Sequence, residues 1–540
     1  MTNGRIGRRQ FVARASLAVA GAAVAPDVLA QMGGGGTGGG ATVIDPPVSG
    51  PLEPLPLARG VPMRDPMLGA YTEYALEARY DRVTVAGVSA TAMRYVDANG
   101  SSDGRLVAPL VRAAPGERLR LRFANGLPDS TATNILGHPR FPTNVHVHGL
   151  HVSPGADARS CHPADDVHRV IAPGGALVFD YDLALQRPGS LALYHPHLHG
   201  TVAEQMWNGL VGGVDVSDGS IAALAPYPAD VLLLKDVTLA NGAPTPHASL
   251  SEYMQGKEGD TVMVNGQVNP SLSARPGEVR RLRVLNVSNA RFYRLSLQGH
   301  ALHVVGADGG LLDRPSPPQS ELLLSPGERV DLLVRVGARG DYKLLALPYA
   351  RRGNMASPQI TLLTLQVAGK SAAQPLPGTI DPSAARVGDD PSLPRPRFAL
   401  SMGQGRGYIN GVSFEVLADG SLRAFEHHSE VGGEEIWEVV NQSGMDHPWH
   451  QHIDDAQVLS MSGGDAAIRA YAALYTAVPA WKDTIIVPKW GSVTLRLPVR
   501  DFGGMTMFHC HILEHEDIGM MGMWHRMPMS AGGCGMPMPM

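Results

Sequence analysis

The chain has 540 residues, 18% of them charged, and a formal net charge of −5 from 45 Lys and Arg against 50 Asp and Glu. That balance argues against a nucleic-acid partner, which needs a basic face, and the length allows about three to four domains. With 63 Gly, 43 Pro and little charge, the composition suits a loop-rich all-β protein better than a helical one.

In chain order, the first feature is an export segment. Arg8-Arg9-Gln10-Phe11-Val12 looks like a twin-arginine motif; an apolar run from Ala15 to Ala25 follows, then Val28-Leu29-Ala30 as a cleavage site. Residues 1–30 are therefore expected to be a signal peptide read by the twin-arginine export machinery, with the periplasm or cell exterior as destination. The apolar run is short and alanine-rich, so no stable membrane span is expected. Gly33–Gly40 reads as flexible linker within a Gly/Pro-rich stretch, 31–60.

A weak repeat follows. Gly116-Glu117-Arg118-Leu119-Arg120-Leu121-Arg122-Phe123-Ala124-Asn125 returns as Gly277-Glu278-Val279-Arg280-Arg281-Leu282-Arg283-Val284-Leu285-Asn286. It returns again, one residue shorter, from Gly433 to Asn441. Each copy is a turn, an alternating strand and an Asn turn. A second strand recurs later in each unit, starting after Pro173-Gly174, Pro326-Gly327 and Trp490-Gly491. Turn-bounded strands at this spacing predict Greek-key sandwiches. The expected units are 61–218, 219–390 and 391–526, followed by a Met/Pro-rich tail, 527–540.

Four His-x-His pairs lie in the outer two units. They are His146 with His148, His195 with His197, His450 with His452, and His509 with His511. In an extended strand such a pair presents two imidazoles on one face, and the residue between them points the other way. In the last pair that residue is Cys510. His447, three residues before His450, is free to join Cys510, His515 and Met520 in a site of one thiolate, two imidazoles and one thioether. That donor set favours copper. The middle unit has none of these motifs and reads as a spacer that helps to form a substrate face.

These four motifs resemble those of the multicopper oxidase family, the laccase-like enzymes, over nearly all of the mature chain. The resemblance implies three cupredoxin domains and four copper ions per chain. Carried over by position, a type 1 copper takes His447, Cys510 and His515 with Met520 axial, and a type 2 copper takes His146 and His450. A type 3 pair takes His148, His195 and His511 on one ion and His197, His452 and His509 on the other. His151 and His199 match no ligand position. The implied reaction reduces O2 to water with four electrons, taken singly from a reductant that is either Cu(I) or a phenolic compound.

Oxygen reduction consumes protons, so acids are expected beside the cluster. Glu516 matches a family acid that relays protons; in the first unit Asp157 holds the matching position, with Asp166 as competitor because the stretch between them looks irregular. The tail, with Met527, Met529, Met536, Met538 and Met540, suggests a cuprous oxidase or a copper-collecting segment. No methionine-rich insert lies between Gly411 and Met505, only Met445 and Met461, which keeps a phenol-oxidising laccase open. With Cys510 on copper, Cys161 and Cys534 are left as an arithmetical pair, which an oxidising compartment permits.

Overall fold

The computed structural model describes residues 42–100, 103–353 and 355–527, which lie in one compact unit. The expected signal peptide, the Gly33–Gly40 stretch, the methionines beyond Met527 and Cys534 all fall outside the described residues.

The architecture is all-β, as expected: three pairs of sheets in succession. The first pair joins Val61–Asp65, Gly69–Val85, Val88–Asp97, Arg118–Asn125 and Ala176–Asp182 in one layer, and Val111–Ala113, Gly212–Val216, Leu191–His195 and His146–His148 in the other. The second pair is built around Ala229–Val237, Val279–Asn286 and Arg329–Arg335 in one layer and Tyr293–Leu297, Gly340–Leu347 and Gln359–Val367 in the other. In the third, Arg397–Gly403, Glu434–Asn441 and Ser492–Pro498 form one layer, while Phe425–Glu430, Met521–Met527, Gly504–Cys510, His447–Gln451 and Thr484–Val487 form the other.

The repeat seen in sequence is the frame of all three. Arg118–Asn125, Val279–Asn286 and Glu434–Asn441 are its strands, each flanked by a parallel strand and by the antiparallel strand of the second repeated element. Alternation drives this pairing: in Arg118–Asn125 the Leu and Phe side chains are buried while arginines between them reach the polar edge. The closing asparagine does the same work in each unit. Asn125 Nδ2 donates to the Phe141 and Ile171 carbonyls, Asn286 Nδ2 to those of Arg291 and Leu324, and Asn441 Nδ2 to those of Met445 and Val487. Each Asn Oδ1 also accepts the N–H two residues on. Buried backbone carbonyls at the strand end are thereby satisfied.

The stretch expected as linker up to residue 60 is not free from residue 43 onward. Val43–Ile44 pairs in parallel with Gln359–Ile360, Leu52 N–H donates to the Ser271 carbonyl at 2.7 Å, and Ala58 N–H to that of Leu110 at 2.9 Å. An open sheet edge offers unpaired backbone groups, and this segment covers one. Among the described residues no helix is long and apolar enough to cross a membrane.

Candidate metal centres

Strand pairing sets the site. His146–His148 lies against Leu191–His195 with His146 opposite His195, and His447–Gln451 lies against Gly504–Cys510 with His450 opposite His509 and Trp449 opposite Cys510. One face of these strands therefore carries imidazoles from four motifs. Cys510, out of phase with His509, faces the core of the third sandwich.

On that core side, His447 Nδ1 is 3.3 Å and His515 Nδ1 is 3.5 Å from Cys510 Sγ, and the two Nδ1 atoms are 3.2 Å apart. All three groups are fully buried, as is Met520, whose carbonyl accepts the Cys510 N–H at 3.0 Å. His447 is steered by Ser443, whose hydroxyl lies 2.7 Å from its Nε2. All of these residues come from the third sandwich.

On the other side, eight imidazoles meet between the first and third sandwiches. His148 Nδ1 lies 3.0 Å from His511 Nε2, and His197 Nε2 lies 3.2 Å from His509 Nε2, which is also 3.2 Å from His452 Nε2. Donor atoms of His148, His195 and His511 lie within 4.8 Å of one another, as do those of His197, His452 and His509, and those of His146, His148 and His450.

The donor set fits metal ions. The Nε2 atoms of His146, His195 and His450 are buried with no hydrogen-bond partner, an arrangement that burial penalises unless something accepts the lone pair. Burial, with mutual repulsion among most of the rings, holds the eight imidazoles well below their ordinary pKa; that of His195 falls to about 4. They are therefore neutral, the form that binds metal. Burial pushes the Cys510 thiol up, and a coordinating cation reverses that direction by stabilising the thiolate.

Three carboxylates touch the imidazoles: Glu516, Asp165 and Asp483, whose Oδ1 is 3.1 Å from His148 Nε2. Glu516, fully buried, has Oε2 3.2 Å from His509 Nδ1 and Oε1 3.8 Å from His197 Nδ1. Burial and the adjacent Asp517 hold its pKa well above the carboxylate range. In the first unit the carboxylate that reaches the imidazoles is neither Asp157 nor Asp166 but Asp165. Both Asp165 oxygens lie 2.9 Å from His146 Nδ1, Oδ2 is 3.8 Å from His452 Nδ1, and burial raises its pKa to about 8. Asp157 is instead held by Arg118 at 3.1 Å and by the Ser160 and Arg159 N–H groups, and Asp166 pairs with Arg169 at 2.7 Å. The loop from Ser153 to Asp165 folds back on itself, with Asp165 N–H donating to the Ser153 carbonyl at 2.9 Å. That reversal brings the later carboxylate to the cluster, a register that spacing from His148 does not reveal.

The middle sandwich is more than a spacer. Arg329 Nη1 lies 3.0 Å from His148 Nε2, and its guanidinium is paired with Asp483. Gly327 has φ +81°, and a Cβ there would meet His511 at 2.9 Å and His148 at 3.0 Å. Only a glycine fits that turn against the imidazoles. From the same sandwich, His247 Nε2 and Asn289 Nδ2 reach Glu514 Oε1 at 2.8 and 3.0 Å, one residue before His515. His151 and His199 stand apart from the donor groups: His151 packs on Asp501 and the Ile453 carbonyl, His199 on His138 and Phe414.

Comparison with known proteins agrees with this geometry. Profiles described as multicopper oxidase match residues 86–220, 227–369 and 409–530. The multicopper oxidase mco of Staphylococcus aureus is 26% identical over 431 residues, covering 78% of this chain and 82% of that one. A multicopper oxidase structure from Campylobacter jejuni, described as a metallo-oxidase, superposes with a TM-score of 0.70 at 25% identity, covering 91% of this chain and 98% of that one. The laccase-like multicopper oxidase of Ochrobactrum sp., described as active towards lignin model compounds, gives 0.68 at 27% identity, covering 88% and 100%. Three successive two-sheet units, a buried Cys–His site and an eight-imidazole cluster thus have one reading: the chain belongs to the multicopper oxidase family.

Proposed function

We propose that this oxidase couples four one-electron oxidations of a reductant, Cu(I) or a phenolic compound, to the reduction of O2 to two waters, and that it serves copper tolerance after twin-arginine export to the periplasm or cell exterior. His447, Cys510 and His515, together with Met520, would hold a type 1 copper; His146 and His450 a type 2 copper; the two groups His148, His195, His511 and His197, His452, His509 a type 3 pair. Bound copper supplies one-electron redox chemistry at the thiolate and the four-electron reduction of O2 at the imidazoles. The observation that carries this reading is covalent: Cys510 shares peptide bonds with His509 and His511, so the two centres are linked through a single strand end.

The chain's own groups divide the remaining work. The imidazoles are buried, which excludes bulk water from the space between them. Glu516 holds a proton beside His509 and His197, and Asp165 orients His146 while offering a second proton site. Arg329 and Asp483 orient His148. Oxygen consumption measured with Cu(I) and with a phenol as rival reductants tests the assignment; an exported copper-tolerance oxidase oxidises Cu(I) faster. Indifference to Cu(I) would leave a laccase with no part in copper homeostasis.

A further inference from the structure

The strand that carries Cys510 and its neighbours hold a second pattern of metal donors, on the face turned away from the thiol. Gly504–Cys510 pairs antiparallel with Met521–Met527, which in turn pairs in parallel with Phe425–Glu430. Phe508 and Trp524 point into the sandwich core, where both pack on Trp437. The alternate residues therefore face outward. His509 stands opposite Met521, Met507 opposite Met523 and Met505 opposite His525. On the far side Glu426 adjoins Met523, His428 adjoins His525 and Glu430 adjoins Met527. Every outward residue of Gly504–Cys510 and Met521–Met527, the terminal Gly504 aside, is thus a Met or a His.

Met505, His525 and His428 form one row across three strands about 4.8 Å apart. The two imidazoles are stacked, with centroids 4.6 Å apart and planes 11° apart. His525 Nε2 is buried and makes no hydrogen bond, although Glu426 Oε2 lies 3.3 Å away. His427, on the core face, is by contrast bound to Glu435 at 2.7 Å. Glu426, His428 and Glu430 are exposed, and His525 and Met505 are half-buried, so an ion from solvent reaches this row. The outward positions of the three strands carry two carboxylates and no Lys or Arg, a balance that draws cations. Two imidazoles beside a thioether suit a soft ion, Cu(I), and not Mg2+ or Ca2+.

Inward from that row the donors of these two strands are thioethers. Met507, Met521 and Met523 are buried and pack together with Val167 and Phe414, and Met505 lies against the same group. Thioethers also serve as adaptable core filler. Here the column begins at solvent-facing imidazoles and ends at His509, whose Nε2 lies 3.2 Å from that of His197 in the eight-imidazole cluster.

Resting on the copper assignment above, we propose that His428, His525 and Met505, with Glu426 beside them, capture a further Cu(I) ion, and that Met523, Met507 and Met521 pass it inward to fill the imidazole cluster at His509. The ion moves from donor to donor as Cu(I): each new ligand bond replaces one that breaks, and no electron is transferred.

Two measurements on the full-length protein test this. In the first, copper-loaded protein, reduced and kept from O2, is titrated with Cu(I) against a chromophoric Cu(I) chelator. The parent is expected to bind a further ion that His525→Gln and His428→Gln bind about 100-fold more weakly, the upper range for removing one group from around a metal. Met507→Leu, which conserves volume, binds it as the parent does. In the second, copper per chain is measured in protein produced at limiting and at excess copper. At limiting copper, His525→Gln and Met507→Leu are expected to hold less copper than the parent; at excess copper the contents are equal, which also shows that the variants fold. Equal Cu(I) affinity in the parent and both histidine variants overturns the site. A weakened site with unchanged copper content at limiting supply overturns the passage inward. A parent that takes up no copper even in excess overturns the copper assignment itself.

Discussion

Arg329 of the second sandwich and Asp483 of the third form a buried bidentate pair, each terminal guanidinium nitrogen donating to one carboxylate oxygen at 2.6 Å. Asp483 Oδ1 lies 3.1 Å from His148 Nε2, and the Asp483 carbonyl 3.0 Å from His450 Nδ1. One ion pair thus ties two sandwich units to imidazoles from the first and third. Removing one partner strands a buried charge, so Arg329→Met is expected to lower stability by about 3–5 kcal/mol. Adding Asp483→Asn recovers part of that loss, because no unpaired charge is left. Denaturant unfolding of both variants, with copper content measured alongside, checks this; equal losses in single and double variants would dismiss the pairing.

The two first-unit acids separate cleanly. Asp165→Asn removes the carboxylate on His146 and is expected to reduce oxygen turnover or copper affinity about 10- to 100-fold. Asp157→Asn removes a partner of Arg118 and is expected to change stability while sparing turnover. Oxygen-electrode rates with copper content of both proteins decide it.

Glu516→Gln keeps the shape beside His509 and His197 but removes the exchangeable carboxyl proton. Oxygen reduction should slow while the thiolate-to-copper absorption remains. Stopped-flow reoxidation of the reduced protein reads that step directly, and an unaltered rate removes Glu516 from proton delivery.

Lys235 is fully buried, its Nζ has no hydrogen-bond partner, and burial lowers its pKa to about 8. The folded-state pKa lies below the unfolded value of 10.5, so the unfolded chain binds the extra proton between them. Stability is therefore full above the unfolded pKa and lost as pH falls towards 8. Lys235→Met should flatten that slope and raise stability at neutral pH by roughly 1–3 kcal/mol. Unfolding measured from pH 7 to pH 10 reports the slope in each protein.

Much of the frame was legible because it rests on short-range rules. Alternation and a closing Asn mark Arg118–Asn125, Val279–Asn286 and Glu434–Asn441, and His-x-His spacing marks which strands face the cluster. Asp165 was not legible, because a loop that reverses on itself moves the useful carboxylate by eight positions from Asp157 without any change in local pattern. Arg329 and Gly327 were missed for another reason: they sit in a repeat element that also reads as an ordinary turn and strand, and only tertiary packing brings them to His148 and His511. The pairing of residues 43–58 with sheet edges was hidden by their Pro-rich composition.

In the proposed function Cys510 feeds an eight-imidazole oxygen site. The most direct measurement is the ratio of electrons taken from reductant to O2 consumed, with hydrogen peroxide assayed in the same vessel, for the parent and for Cys510→Ser. Four electrons per O2 with no peroxide are expected in the parent, and loss of both colour and turnover in the variant. Two electrons per O2 with peroxide released, or turnover that survives Cys510→Ser, would contradict it.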